Sequence, residues 1–254
     1  MSETTPDRPS PAKVYLLGAG PGAAAYLTQR GLDCLKKCDV LVYDALTDEE
    51  LRSHLPPTCI LINVGKRGGE PSTPQKQINQ ILVEQCQQGK TVVRLKSGDP
   101  FVFGRATAEI QALKSAGCAF EVVPGISSAL AGPLLAGIPL TDPVMSNGFG
   151  VFTAHDLDAL NWEALAQLPT LVLLMGGRNL GEICQRLLRR ERSPFTPVAI
   201  IRWASQPQQQ VWTGTLSDIS ERLRSYLDSG QKLSPCIIVI GEVVSLREFL
   251  QPQV

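Results

Sequence analysis

Five short stretches of this sequence combine glycine with groups that can bind ligands or move protons. They are Gly18-Ala19-Gly20-Pro21-Gly22, Asp44, Gly65-Lys66-Arg67-Gly68-Gly69, Ser97-Gly98-Asp99-Pro100 and Gly125-Ile126-Ser127-Ser128. Each closes a short apolar run: Val14 to Leu17, Val40 to Tyr43, Ile60 to Val64, Val92 to Leu95 and Phe120 to Val123. Taken singly, Gly and Pro after an apolar run are ordinary turn residues. Taken together, they set amides, hydroxyls, a carboxylate and cations at the carboxyl ends of five expected strands, where open parallel sheets bind their ligands.

The first loop and Asp44 also admit a dinucleotide reading, with Asp44 as the acid that holds a ribose. The third glycine of that fingerprint falls at Ala23, a permitted variant, but Pro21 removes an amide that a pyrophosphate would use. The fourth and fifth loops then have no part to play. The other chemistry-bearing residues read as structural. His155 follows an expected strand and His54 lies in an expected surface helix, so neither builds a metal centre. Seven cysteines are scattered without a C-x-x-C pair; Cys34 and Cys38 share a helix face by their spacing and are expected to pack. The charge run Arg186 to Arg192 reads as a solvated helix end. Trp162, Trp203 and Trp212 have no spacing that would stack bases, and read as core or interface residues.

The elements that must position these loops follow from periodicity. Between the third and fourth apolar runs, Thr73 is expected to cap a helix with Pro74 in its first turn, Ile78, Ile81 and Leu82 on one face, and Gly89 as its stop. Strands alternating with helices predict an α/β fold, with a mostly parallel five-stranded sheet in the first half. In the second half, apolar runs recur at Gly150 to Thr153, Leu171 to Met175, Val198 to Trp203 and Ile237 to Ile240. Val198 to Trp203 and Gln210 to Thr213, joined by a short Pro-containing stretch, predict a hairpin and so a mixed sheet. Gly132 to Gly148 holds three prolines and three glycines, which puts the expected boundary near residue 140, between domains 13–140 and 141–254. Residues 1–12 read as a disordered polar tail.

The bulk numbers exclude some partners. Of 254 residues, 43% are hydrophobic and 19% charged, enough for a sizeable core. Twenty-four basic residues balance twenty-four acidic ones, so no global positive field attracts nucleic acid or an anionic membrane. No apolar stretch reaches the ~18 residues of a membrane span. Free thiols are those of a reducing cytoplasm.

The loops resemble, in order and spacing, those of the tetrapyrrole methylase family. The telling segments are V-Y-D-A-L at Val42 to Leu46, V-G-K-R-G-G at Val64 to Gly69, and R-L-K-S-G-D-P-F-V-F-G-R at Arg94 to Arg105, with the likeness running to about Leu250. The resemblance implies two α/β domains with S-adenosylmethionine in the cleft between them, usually in a homodimer, and no metal. It implies C-methylation of uroporphyrinogen III to precorrin-2 via precorrin-1, on the route to sirohaem and cobalamin, with S-adenosylhomocysteine released. A later precorrin is the competing substrate within the same fold. By position, Asp44 matches the family's proton acceptor and Lys66 its proton donor. Pro21, Ser97, Gly98, Asp99, Val102, Ser127, Ser128, Met175 and Ala204 match cofactor contacts, and Arg105 matches an arginine that meets the substrate. The sequence departs from the family at Ala106-Thr107, where two glycines are usual, and at Asp142-Pro143, where a His-Arg pair is usual.

Overall fold

The computed structural model describes residues 12–44, 50–65 and 73–250. The expected tail therefore lies outside the described residues, except for Ala12. The chain divides into two compact units, one ending at Ile126 and the other beginning at Ser127.

In the first unit, runs rich in Val, Ile and Leu form β1 (Lys13–Gly18), β2 (Val40–Tyr43), β3 (Ile60–Asn63), β4 (Val92–Lys96) and β5 (Ala119–Val123). All pair in parallel, in the order β3-β2-β4-β1-β5. Because side chains alternate across a strand, each run feeds two cores. Val14, Leu16, Val40, Val42 and Val92 pack on one face with Ile78 and Leu82 of α2 (Gln75–Gln87) and Leu113 of α3 (Ala106–Ser115). Leu17, Leu41, Val93 and Leu95 pack on the other with Cys34 and Leu35 of α1 (Gln29–Leu35). Helices on both faces bury the central strands β2 and β4, whereas the edge strands β3 and β5 stay partly exposed.

Two local expectations are corrected here. Pro74, not Thr73, occupies the N-cap of α2, with no side-chain cap bond; Gly89, at φ +82°, does end the helix as expected. Cys38 lies beyond the end of α1 and so shares no helix face with Cys34. Its thiol instead lies 3.5 Å from that of Cys59, and burial pushes it well above the ordinary thiol range.

The second unit builds β6 (Phe149–Thr153), β7 (Thr170–Leu174), β8 (Pro197–Arg202), β9 (Gln210–Thr215) and β10 (Cys236–Ile240) in the order β6-β7-β10-β8-β9. Only β6 and β7 pair in parallel, and β8 and β9 form the expected antiparallel hairpin. α6 (Leu180–Leu188) covers one face through Leu180, Ile183 and Leu187. α4 (Ser128–Leu135) belongs to the other face, with Ala129 packed among Val172, Ile201, Ile237 and Val239. That packing draws the division forward to Ile126, ahead of the Pro- and Gly-rich stretch expected to hold it.

The charge run at the end of α6 is not a merely solvated face. Arg186 pairs Asp158 and Glu182, both at 2.7 Å, and lies over the Trp162 ring. Arg192 donates to the carbonyls of Leu165, Pro169 and Ile240, and burial lowers its pKa from the usual arginine value. Three backbone segments end near one guanidinium, a docking role that composition alone does not reveal.

Candidate active site

The carboxyl ends of β1, β4 and β5 meet backbone to backbone. The Ala19 amide donates to the Lys96 carbonyl at 2.7 Å, the Gly98 amide to Gly20 O at 2.8 Å, and the Gly20 amide back to Gly98 O at 3.2 Å. A Cβ on Gly18 would sit 2.5 Å from Gly98 O and 2.6 Å from the Gly125 amide nitrogen, and one on Gly125 would collide with the same carbonyl. These glycines thus serve close approach as well as turning. Gly125→Ala is expected to cost about 1–3 kcal/mol of stability through overpacking. A urea titration reads this as a lower midpoint at constant slope; an unmoved midpoint would mean that the three loops have room to spare.

After β4 the chain presents Ser97, exposed, then buried Gly98 at φ +66°, then Asp99, whose Oδ1 accepts the Phe101 amide at 2.8 Å. Phe101, Val102 and Phe103 follow as an exposed apolar tip, 64%, 36% and 43% accessible. Arg105 is exposed and holds the left-handed N-cap of α3 at φ +56°. Pro21, half-buried, follows Gly20 and so lies beside the Gly98 bridge.

Asp44 directly follows β2, which neighbours β4 in the sheet. Arg94 Nη2 donates to both its carboxylate oxygens, at 2.8 and 3.1 Å. The Asp44 side chain keeps 35% exposure and Arg94 only 4%, so a partly exposed carboxylate is seated on a buried cation. Behind Arg94 lies Glu109, wholly buried on α3. Arg94 Nε donates to its Oε1 at 3.0 Å, and Lys96 Nζ to its two oxygens at 3.0 and 2.8 Å. Burial, then the neighbouring Arg94 charge, pushes the Lys96 ammonium below its ordinary pKa, against the pull of Glu109. Lys66, expected as the proton donor, and Arg67 lie outside the described residues.

Sequence reasoning missed Arg94, Lys96 and Glu109 as parts of this site. The signal was present: two cations at alternate positions within the apolar strand V-V-R-L-K, on the face shared with Val92, demand a buried counter-charge. Glu109 sits between Ala106 and Leu113 on the buried stripe of α3.

In the second unit, Ser127 is the N-cap of α4, its hydroxyl accepting the Ala129 amide at 3.3 Å, and Ser128 opens the helix. Met175 follows β7 at φ +61° and is 49% exposed. Ala204, buried after β8, lies between Trp203 at φ +52° and Ser205 at φ +72°. Left-handed backbone at non-glycine residues stores strain, and such strain concentrates where ligands are held. Of the six such residues described, only Glu191 falls away from the candidate positions; Phe103, Arg105, Met175, Trp203 and Ser205 are at or next to them. His155 is exposed. Among the described residues, no group of three or more His, Cys, Asp or Glu could hold a metal ion, and no helix is long and apolar enough to cross a membrane.

Comparison with known proteins adds relatives to this geometry. Residues 13–220 match the family model of the Tetrapyrrole (Corrin/Porphyrin) Methylases. The chain is 58% identical over 237 residues to a uroporphyrinogen-III C-methyltransferase of Synechococcus elongatus, covering 93% of this chain and 96% of that protein. It is 41% identical over 248 residues to a siroheme synthase of Zymomonas mobilis, of which it spans 51%. The crystal structure of a Thermus thermophilus uroporphyrin-III C-methyl transferase complexed with S-adenyl homocysteine superposes with a TM-score of 0.77 at 33% identity, covering 92% of this chain and 99% of that one.

Proposed function

The chain belongs to the tetrapyrrole (corrin/porphyrin) methylases, and from that premise we propose that it is an S-adenosylmethionine-dependent enzyme that C-methylates uroporphyrinogen III. The observation that carries this reading is the identity of more than half the residues with one such enzyme over nearly the full length of both chains. The reaction passes through precorrin-1 to precorrin-2, a precursor for sirohaem and cobalamin.

The residues of each unit fit this cofactor. The stretch Ser97 to Val102 offers a hydroxyl, backbone polar groups and the Asp99 carboxylate, and no cation that would oppose a positively charged sulfur. Pro21, Ser97, Gly98, Asp99 and Val102 in the first unit, and Ser127, Ser128, Met175 and Ala204 in the second, are the proposed contacts. The strained backbone at or beside Val102, Met175 and Ala204 supports their assignment. S-adenosylmethionine supplies the methyl group as an electrophile already activated by its sulfonium.

What remains for the protein is to orient the pyrrole carbon and, since that carbon carries a side chain and no hydrogen, to take a proton from elsewhere in the ring system that has become cationic. Asp44, seated on Arg94 and partly exposed, counters the positive charge that enters the ring and then accepts that proton. Lys66 is proposed as proton donor only by its match to the family's position; the single proton that methyl transfer releases goes to Asp44. Arg105, exposed at the start of α3, pairs a substrate carboxylate through its planar fork. Arg105→Ala should remove a charged hydrogen bond of about 1.5–3 kcal/mol. The Michaelis constant for the tetrapyrrole then rises about tenfold or more while cofactor affinity holds. Loss of cofactor binding with substrate binding intact would reassign this residue.

The enzyme works as a cytoplasmic homodimer. Its seven unpaired cysteines support the compartment, and the exposed apolar side chains Leu130, Leu134 and Phe149 of the second unit support self-association. The reading as a methyltransferase is tested by ligand binding: purified protein should bind S-adenosylhomocysteine in calorimetry, and NAD should leave its thermal transition unmoved. The reverse pattern would restore the dinucleotide reading of Gly18–Gly22.

A further inference from the structure

We propose that Glu109 is a positioning residue for methyl transfer, acting through Arg94 to fix the geometry of Asp44; the inference rests on the reading of Asp44 as proton acceptor. Every nitrogen of the Arg94 guanidinium is committed: Nε to Glu109, Nη1 to the Leu95 carbonyl at 3.0 Å, and Nη2 to both oxygens of Asp44. A planar fork bound at three corners has one orientation. The face that it offers to Asp44 is therefore set by Glu109 and by the backbone of β4. Glu109 is itself held from other directions, by Lys96 and by Gln75 Nε2 at 3.4 Å, while Asn79 ties α2 to α3 through the Ala108 carbonyl at 3.1 Å.

The arrangement is an expensive way to join a strand to a helix. Two cations and a carboxylate are removed from water, and apolar side chains of similar size would bind β4 to α3 at least as well, as Val92 does on the same face. The described ion pairs are also linked as a chain. Glu109 faces both Arg94 and Lys96, and Arg94 alone passes the contact on to Asp44, so without Glu109 the guanidinium would lose the carboxylate that holds its Nε side. Of the four ionic groups, only Asp44 reaches the surface to any extent. The network thus has one outlet, at the carboxylate to which proton transfer is assigned.

The test is a rate cycle with Glu109→Gln, Asp44→Asn and the double variant, read as single-turnover methylation of uroporphyrinogen III at saturating cofactor. Misplacing a reacting group by about 1 Å can cost ~10²-fold. Glu109→Gln should accordingly slow methyl transfer by roughly 10- to 100-fold with the dissociation constant for S-adenosylhomocysteine unchanged. In the Asp44→Asn background, where the positioned group is already gone, the same change should matter by about twofold or less. An unchanged rate, an equal loss in both backgrounds, or a loss of cofactor affinity alongside the rate would each overturn the inference and leave a structural tie. If Asp44→Asn alone methylates at full rate, the role of Asp44 fails first, visibly, and that of Glu109 falls with it. Should Glu109→Gln not fold, Arg94→Lys completes the same cycle. It keeps the buried charge but cannot reach Asp44, Glu109 and Leu95 together, and the same outcomes decide.

Discussion

Asp44→Asn is expected to lower turnover by about 10²–10⁴, the usual contribution of a positioned acid or base, with S-adenosylmethionine affinity little changed. The substitution keeps the size of the side chain and one oxygen able to accept from Arg94, and removes the charge and the basic oxygen. Asp44 has a second chemical reading, as a ribose acid, and the two separate cleanly. A ribose role would weaken nucleotide binding; a proton-acceptor role leaves binding intact and slows the chemical step. The assay is a single turnover at saturating cofactor, run on both proteins from about pH 6 to 9, a range lying well above the ordinary carboxylate pKa. Undiminished methylation by the variant throughout would assign the proton to another group.

Gly98→Trp is expected to abolish cofactor binding. Gly98 occupies a left-handed conformation at φ +66°, which costs an L-residue roughly 1–2 kcal/mol, and both its amide and its carbonyl bridge to Gly20. Its carbonyl already lies against Gly18 and Gly125. Gly98 is buried, so an indole at this position must displace the loop or fill the space beside Ser97 and Asp99. Calorimetry with S-adenosylhomocysteine should then show no measurable heat, on protein that keeps its helical circular dichroism. A near-normal dissociation constant would remove the Ser97–Asp99 loop from the cofactor site.

The sheets were legible chiefly through their central strands, which are buried on both faces. Val14 to Leu17, Val40 to Tyr43 and Ile237 to Ile240 carry enough consecutive apolar residues to be read without their partners, and β8 and β9 revealed their antiparallel pairing by the short stretch between them. The glycine loops were legible as a group for the same reason: they close those strands. What the sequence did not disclose depends on contacts between distant segments. The division at Ile126 is set by α4 packing under β10, which leaves no mark on local composition. Cys38 was placed on a helix because spacing alone cannot see that α1 ends at Leu35. Arg94, Lys96 and Glu109 were visible as residues, yet their partnership spans a strand and a helix joined only in the folded unit. The left-handed backbone at Met175, Trp203 and Ser205 is likewise a property of the fold, since none of these residue types favours it.

The central claim, methyl transfer from S-adenosylmethionine to a carbon of uroporphyrinogen III, meets its most direct test in product mass. Purified protein is incubated anaerobically with uroporphyrinogen III and S-adenosylmethionine carrying an isotopically labelled methyl group, and the tetrapyrroles are then weighed by mass spectrometry. The account predicts tetrapyrrole products heavier by one and then two labelled methyl groups, with S-adenosylhomocysteine formed in step. Protein that binds S-adenosylhomocysteine but leaves uroporphyrinogen III unlabelled, while methylating a later precorrin supplied in its place, would contradict it.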